Sequence, residues 1–153
     1  MATDWLPAET RSRIMRSVRS KNTKPEKLVR KALFAFGYRY RLHSAKLPGT
    51  PDVVFAGRKK VIFVHGCFWH QHPSASCSST GLPTSNTGYW EPKLNRNAAR
   101  DVENVAKLKK LGWKVQIVWE CELERNPEKV LNKLRKFLGP PKYLGGWRRF
   151  PQV

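Results

Sequence analysis

Acidic side chains are scarce in this sequence: 11 Asp and Glu stand against 30 Lys and Arg, for a net charge of +19 at pH 7. That shortage excludes a self-neutralising surface. A domain this basic repels itself unless a polyanion is near, and nucleic acid is the usual one. The plainer alternative is a cationic surface that only confers solubility. Cysteine is scarce as well. Three thiols, Cys67, Cys77 and Cys121, cannot all pair within one chain, so a disulfide framework is excluded in favour of free thiols or metal ligands. No apolar run approaches a membrane span, and the opening "MATDWLPAETRSR" has no apolar stretch of an export signal. A cytoplasmic protein with no membrane partner is expected. The basic residues run from Arg11 to Arg149 and do not form one block beside an anchor.

What is present suits one domain: 153 residues, 40% of them hydrophobic, with no internal repeat and no low-complexity tract. Residues 1–20 read as a basic arm, 21–139 as the folded domain and 140–153 as an irregular tail. Leu28, Val29, Ala32, Leu33 and Phe36 share one helical face, with Pro25 near the first turn and Gly37 at the end. "YRYRLHS" alternates like a strand, "LPGTPD" is a turn, and "DVVFAGRKKVIFVHG" reads strand, turn, strand. Residues 73–97, rich in Pro, Ser, Thr, Gly and Asn, predict a long loop. Val102, Val105, Leu108 and Leu111 predict a helix from Arg100, stopped by Gly112. "WKVQIVWECEL" reads as a strand. "NPEKVLNKLRKFLG" gives a last helix, with Asn126 as N-cap, Pro127 first and Gly139 after its end. Helix, three strands, helix, strand, helix is a mixed α/β order, which packs as a central sheet flanked by helices.

The chemistry-bearing residues crowd into "VIFVHGCFWHQH", residues 61–72. Cys67, His72 and Cys77 are spaced five apart, and Cys121 ends a distant strand. Three thiolates and an imidazole can make the closed tetrahedral shell of a structural zinc site; otherwise they are buried thiols that happen to meet. His65 and His70 remain, with Asp52 at the start of the preceding strand. A carboxylate and histidines on adjacent strand ends can hold a divalent ion and activate water, although an Asp after Pro is often only a turn former. Phe68 and Trp69 form either a core corner or an aromatic wedge for base steps. Trp90, between polar and basic residues, is a second wedge candidate.

"LPGTPDVVF", "VIFVHGCFWHQH", "YWEPKLNRNAARD" and "LGWKVQIVWEC", in that order, resemble the very-short-patch-repair (Vsr) DNA mismatch endonucleases. The basic "RSRIMRSVRSKNTKPE" is similar too, and the likeness covers roughly residues 10–138. It implies a restriction-endonuclease-like α/β core. It also implies a magnesium-dependent nick on the 5′ side of the thymine in a T:G mismatch, the product of 5-methylcytosine deamination. By position, Asp52 would bind magnesium, helped by the main-chain carbonyl of Val64. His70 would be the general base, with His65 and Glu26 supporting metal-bound waters. Cys67, His72, Cys77 and Cys121 would hold structural zinc. Phe68, Trp69 and Trp90 would form the wedge, Lys93 and Asn97 would read the mismatched pair, and Met15 would touch its minor-groove side. Double-stranded DNA with a T:G mismatch would be the partner, with an accessory mismatch-repair protein and a repair polymerase downstream, in a bacterial cytoplasm and at the nucleoid when bound. A single nick needs one active site, so a monomer suffices. The sequence departs from the family at Val64, where some members carry threonine, and in "HQHPSASC", which spaces the third zinc ligand further from the histidines than the shortest family versions. Two rival readings are a zinc-stapled, non-catalytic nucleic-acid-binding module and a related nuclease with a different DNA target.

Overall fold

In the computed structural model, helix α1 (Lys24–Ala35) starts where the sequence supplies a cap. The Thr23 hydroxyl accepts the Glu26 N–H, and Pro25 fits the first turn, where a missing N–H costs nothing. Gly37, with φ +97°, lets the chain reverse while the Tyr38 N–H closes onto the Leu33 carbonyl. The structure describes residues 9, 21–74, 77, 81 and 86–142. The arm at 1–20, apart from Glu9, and with it Met15, lies outside the described residues, as does the tail from 143.

Four strands form one sheet in the order β1 (Arg41–Leu42), β2 (Val53–Phe55), β3 (Lys60–His65), β4 (Lys114–Trp119). β2 and β3 are an antiparallel hairpin with Val53 opposite Ile62, turned by a short 3₁₀ segment and by Lys59 at φ +53°. β3 and β4 run parallel, from Lys60 beside Lys114 to His65 beside Trp119. A parallel pair needs a crossover, and helix α3 (Thr87–Lys110) lies in it. The short helix α2 (Cys67–His70) follows β3, and α4 (Glu120–Arg125) and α5 (Pro127–Leu138) follow β4. Among the described residues no helix is long and apolar enough to cross a membrane.

The alternation of the strands divides the core between the two faces of the sheet. Ile62, with Val53 and Phe55, packs on Val29, Leu33, Leu134 and Leu138 of α1 and α5. Val61 and Phe63, with Val54, pack on Leu108 of α3. Asn126 caps α5 as expected, its side chain accepting the Lys129 N–H, and Gly139 follows at φ +85°.

Three expectations are corrected. The stretch 73–97 is not all loop: α3 begins at Thr87 and runs through Pro92. Trp90, Leu94 and Leu108 are buried along one face of it, and burial of that stripe offsets the backbone bond lost at Pro92. The face differs from the one expected, since Val102 is 72% and Leu111 54% exposed; Leu28 of α1 is likewise exposed. Strand β4 stops at Trp119, because its partner β3 ends at His65 and leaves no ladder to continue. Cys121 therefore sits in a helix, and the turn into α4 puts Leu123 into the core.

Candidate catalytic and metal-binding site

Asp52 stands immediately before β2, at the end of the sheet where β3 finishes. Its Oδ2 accepts the Val64 N–H at 2.7 Å, so the hairpin register alone fixes the carboxylate beside the β3 end. In an extended strand the N–H and C=O of one residue point to the same side. The Val64 carbonyl therefore faces the Asp52 side, beyond the last β2 pairing. Burial pushes the Asp52 carboxyl up to about 6; the Val64 bond opposes this, Glu26 adds to it, and His43 and His70 oppose it. A half-buried carboxylate held beside a buried one is an environment that a cation would relieve.

Glu26 lies on one side of Asp52. It is 1% exposed, and its oxygens take the Asn22 N–H at 2.8 Å and the Arg30 guanidinium at 3.1 Å, with the Nε2 of His43 against Oε1. One donor atom from each of Glu26, His43 and Asp52 falls within 4.8 Å of the others. His43 was not expected from the sequence. Its signal was the strand pairing: with Leu42 opposite Val53, the next residue must stand opposite Asp52, and its N–H bonds the Asp52 carbonyl at 3.2 Å.

His70 lies on the other side. Its Nδ1–H donates to Asp101 Oδ2 at 2.6 Å, and its ring stacks on His65 with centroids 3.8 Å apart and planes 5° from parallel. Asp101 is the second residue the sequence reading missed. It sits on the same α3 face as Trp90, Leu94 and Leu108. Burial, with His70 beside it, holds His65 down at about 4, against an opposing pull from Asp101. His65 is thus neutral at pH 7, and its Nδ1 is buried without a hydrogen-bond partner among the described residues. An orphaned buried nitrogen beside a carboxylate cleft fits a site made for an ion and its waters. Asp101 fixes the His70 tautomer, leaving Nε2 free to accept a proton. Asp101→Asn removes that control over the ring.

Cys67, His72, Cys77 and Cys121 do converge, one donor atom from each lying within 4.8 Å of the rest. His72 Nδ1 is 3.7 Å from Cys67 Sγ and 3.3 Å from Cys121 Sγ. Those edges lie close to the roughly 3.5 to 3.8 Å that separates the donors of a tetrahedron with zinc bonds of about 2.0 to 2.3 Å, the second slightly shorter. Cys77 joins despite its wide spacing. Burial raises the Cys67 thiol to about 12 and raises Cys121 too. The Trp119 ring, stacked on His72 at 4.2 Å, also meets His65 edge-on, so both clusters share one wall.

Phe68, Trp69 and Trp90 form one aromatic cluster, with centroids 5.2, 5.6 and 6.0 Å apart. Trp90 is 4% exposed, whereas the sequence placed it in an open loop; the helical face carries it under α2. Its indole N–H has no partner among the described residues. Lys93 reaches over the Trp69, Tyr89 and Trp90 rings at 5.5 to 5.9 Å, and Asn97 donates to the Trp69 carbonyl at 3.3 Å. Tyr89, half exposed beside Trp90, extends the aromatic surface outward.

The sequence profile of the family described as DNA mismatch endonuclease Vsr matches residues 3–76. The type II nicking enzyme V.XorIIP of Xanthomonas oryzae pv. oryzae is 54% identical over 121 residues, which are 79% of this chain and 87% of that protein. V.NmeAIP, a type II nicking enzyme of Neisseria meningitidis, is 47% identical over 122 residues, 80% of this chain and 85% of its own. The DNA mismatch endonuclease Vsr of Escherichia coli K12 is 40% identical over 124 residues, 81% and 77% of the two chains.

Proposed function

From the premise that the chain belongs to the Vsr family of DNA endonucleases, we propose that it nicks one strand of a duplex 5′ of the thymine in a T:G mismatch, in the manner of its E. coli relative's name. The observation that carries the reading is Asp52: half-buried, pinned to the Val64 N–H, and set between the Glu26–His43 pair and the His70–Asp101 pair. Asp52 and the Val64 carbonyl would hold magnesium. That ion would supply a water of lowered pKa and neutralise charge at the scissile phosphate. His70 would take the proton of the attacking water on Nε2 while Asp101 holds its other nitrogen. His65, kept neutral by burial, would hydrogen-bond the ion's waters, as would Glu26. The Cys67, His72, Cys77 and Cys121 shell would hold zinc as a structural staple, within a restriction-endonuclease-like core.

Recognition follows from charge and aromatics. The cationic surface supplies affinity for any duplex, and that affinity falls with salt. Phe68, Trp69 and Trp90 would open a base step, which costs least at a mismatch, with Lys93 and Asn97 beside the opened pair. Trp69→Ala is expected to lower the preference for mismatched over matched duplex about tenfold, a difference of about 1.4 kcal/mol, while matched-duplex affinity stays within about threefold. Titration of labelled T:G and C:G duplexes checks this. The monomer would act in the bacterial cytoplasm, passing nicked DNA to a repair polymerase, with an accessory mismatch-repair protein as a further partner.

The test is strand mapping on labelled duplexes that differ only in a central T:G, C:G or T:A pair. A nick only in the T:G duplex, 5′ of the thymine, supports the proposal. Equal nicking of matched duplexes discards mismatch selectivity and favours a sequence-directed nickase, the class named for the Xanthomonas and Neisseria relatives. No nicking in any duplex overturns it.

A further inference from the structure

The turn of the β2–β3 hairpin lies at the end of the sheet away from Asp52. A cavity of about 150 Å³ opens there, lined by Arg39, Phe55, Ala56, Gly57, Arg58 and Lys142. Three of those six residues are cationic and none is acidic. Both arginines are oriented by backbone carbonyls. Arg58 donates from Nη1 to the Leu138 carbonyl and from Nη2 to the Pro140 carbonyl, each at 2.7 Å. Arg39 donates from Nη1 to the Tyr38 carbonyl at 3.0 Å and to the Phe34 carbonyl at 3.3 Å, with its guanidinium over the Phe34 ring. A carbonyl fixes a guanidinium without cancelling its charge, and a guanidinium has more N–H donors than Arg58 spends on these two bonds.

The plainer account of the arginines is that they close helix ends, since Leu138 ends α5 and Phe34 lies in the last turn of α1. That account leaves out Lys142. Its Nζ has no hydrogen-bond or ion-pair partner among the described residues, and it lies 3.9 Å from where a Cβ on Gly57 would stand. Beyond Lys142 the sequence adds Arg148 and Arg149 and no acidic residue.

The walls set the kind of ligand. Phe55 is 3% exposed and meets the Tyr38 and Tyr40 rings edge-on, so it offers no open face on which a base could stack. What is left is backbone at Ala56 and Gly57, guanidinium forks and an ammonium point charge, a donor set suited to phosphate. A water takes about 30 Å³, so the volume suits a phosphate group with a few waters. We propose that Arg39, Arg58 and Lys142 form a phosphate-binding pocket at the hairpin turn, which takes a phosphate group without reading a base. From Lys60 to His65, β3 spans roughly 16 Å at about 3.3 Å per residue, so a group bound here is not the scissile phosphate. Its carrier is either a nucleic-acid backbone beyond the segment held at the cleft or a free phosphate compound. The inference goes beyond the proposed nick and does not depend on it.

A chain of net charge +19 attracts phosphate in many places, so the test needs a local signal. Inorganic phosphate and, in a parallel arm, a short matched duplex are titrated into zinc-loaded, isotope-labelled, full-length protein at fixed ionic strength. The Gly57 amide is followed by nuclear magnetic resonance in the parent, Lys142→Arg, Lys142→Ala and Lys142→Glu. Because Lys142 closes no helix end, all four proteins are expected to melt alike. A saturable shift is expected in the parent and, within about twofold of its affinity, in Lys142→Arg. Binding about fivefold weaker is expected for Lys142→Ala and about twentyfold weaker for Lys142→Glu. A saturable shift with the duplex, weakened in that order, supports the pocket and assigns the carrier to a nucleic-acid backbone. A saturable shift with phosphate only, weakened in the same order, supports it and assigns a free phosphate compound. No saturable shift in either arm overturns the pocket, as does a Lys142→Glu curve that overlays the parent's. If Lys142→Glu is unfolded by circular dichroism, Lys142→Ala decides in its place.

Discussion

Zinc removal is expected to unfold this protein. The four proposed ligands tie the segment after β3 to the segment after β4: Cys67 at the start of α2, His72 just beyond it, Cys77 further on and Cys121 in α4. Binding at structural zinc sites is worth on the order of 10 kcal/mol, while a domain's whole stability is roughly 5 to 15 kcal/mol. The metal would then contribute most of the margin. The thiols themselves show why: burial lifts Cys67 to about 12, so without a cation the site holds neutral sulfurs at the cost of charge-free, weakly bonded packing. Loading zinc must expel those protons, so affinity falls as pH drops. Thermal melting followed by circular dichroism, with released zinc measured colorimetrically, checks this. Chelator-treated protein is expected to lose its cooperative transition or to melt at least 15 °C lower, and Cys121→Ser to behave like it. An unchanged melt after complete zinc removal would reduce the cluster to buried thiols.

The second large effect has an unusual sign: Asp52→Asn should abolish activity and stabilise the magnesium-free fold. The Asp52 carboxyl titrates near 6 in the folded chain against an ordinary 3.8. Across that window the folded protein holds its proton more tightly than the unfolded chain does, so stability falls as pH rises from about 4 to 6 and stays low above it. A shift of this size corresponds to at most about 3 kcal/mol at 1.36 kcal/mol per unit, and less because the site is partly open to solvent. Asparagine carries no charge to bury, and its oxygen can still accept the Val64 N–H. Zinc-loaded, magnesium-free Asp52→Asn is therefore expected to be more stable than the parent by about 1 to 3 kcal/mol at pH 7.5, and by less at pH 5.5. Denaturant melts at the two pH values measure the difference. A variant less stable at pH 7.5 would mean that the carboxylate is held by attraction and not against burial.

Such a cost sits where function needs it, and it helps explain what could be read from the chain. The first and last helices were legible because local signals agreed: Thr23 and Pro25 with Gly37, Asn126 and Pro127 with Gly139. The β2–β3 hairpin was legible because two short apolar runs, Val53–Phe55 and Val61–Val64, flank a turn at Gly57, and its register puts Asp52 beside the end of β3. The start of α3 was hidden, since Pro92 and the surrounding asparagines read as loop while the buried stripe from Trp90 to Leu108 recurs only once per turn. Asp101 lay inside the helix as read from Arg100, but nothing in the spacing showed that His70 stands opposite it. His43 was missed for a different reason: β1 is two residues long, too short for alternation to mark, and only its pairing with β2 shows what stands opposite Asp52.

The most direct test of the account is single-turnover nicking of a T:G duplex by zinc-loaded protein as magnesium is raised from chelated zero, with the parent and Asp52→Asn compared. The account predicts no cutting in chelator, a rate for the parent that saturates with magnesium, and a rate for Asp52→Asn at least a thousandfold lower at every concentration, with duplex binding retained. Parent-level cutting by Asp52→Asn, or full cutting without a divalent ion, would contradict it.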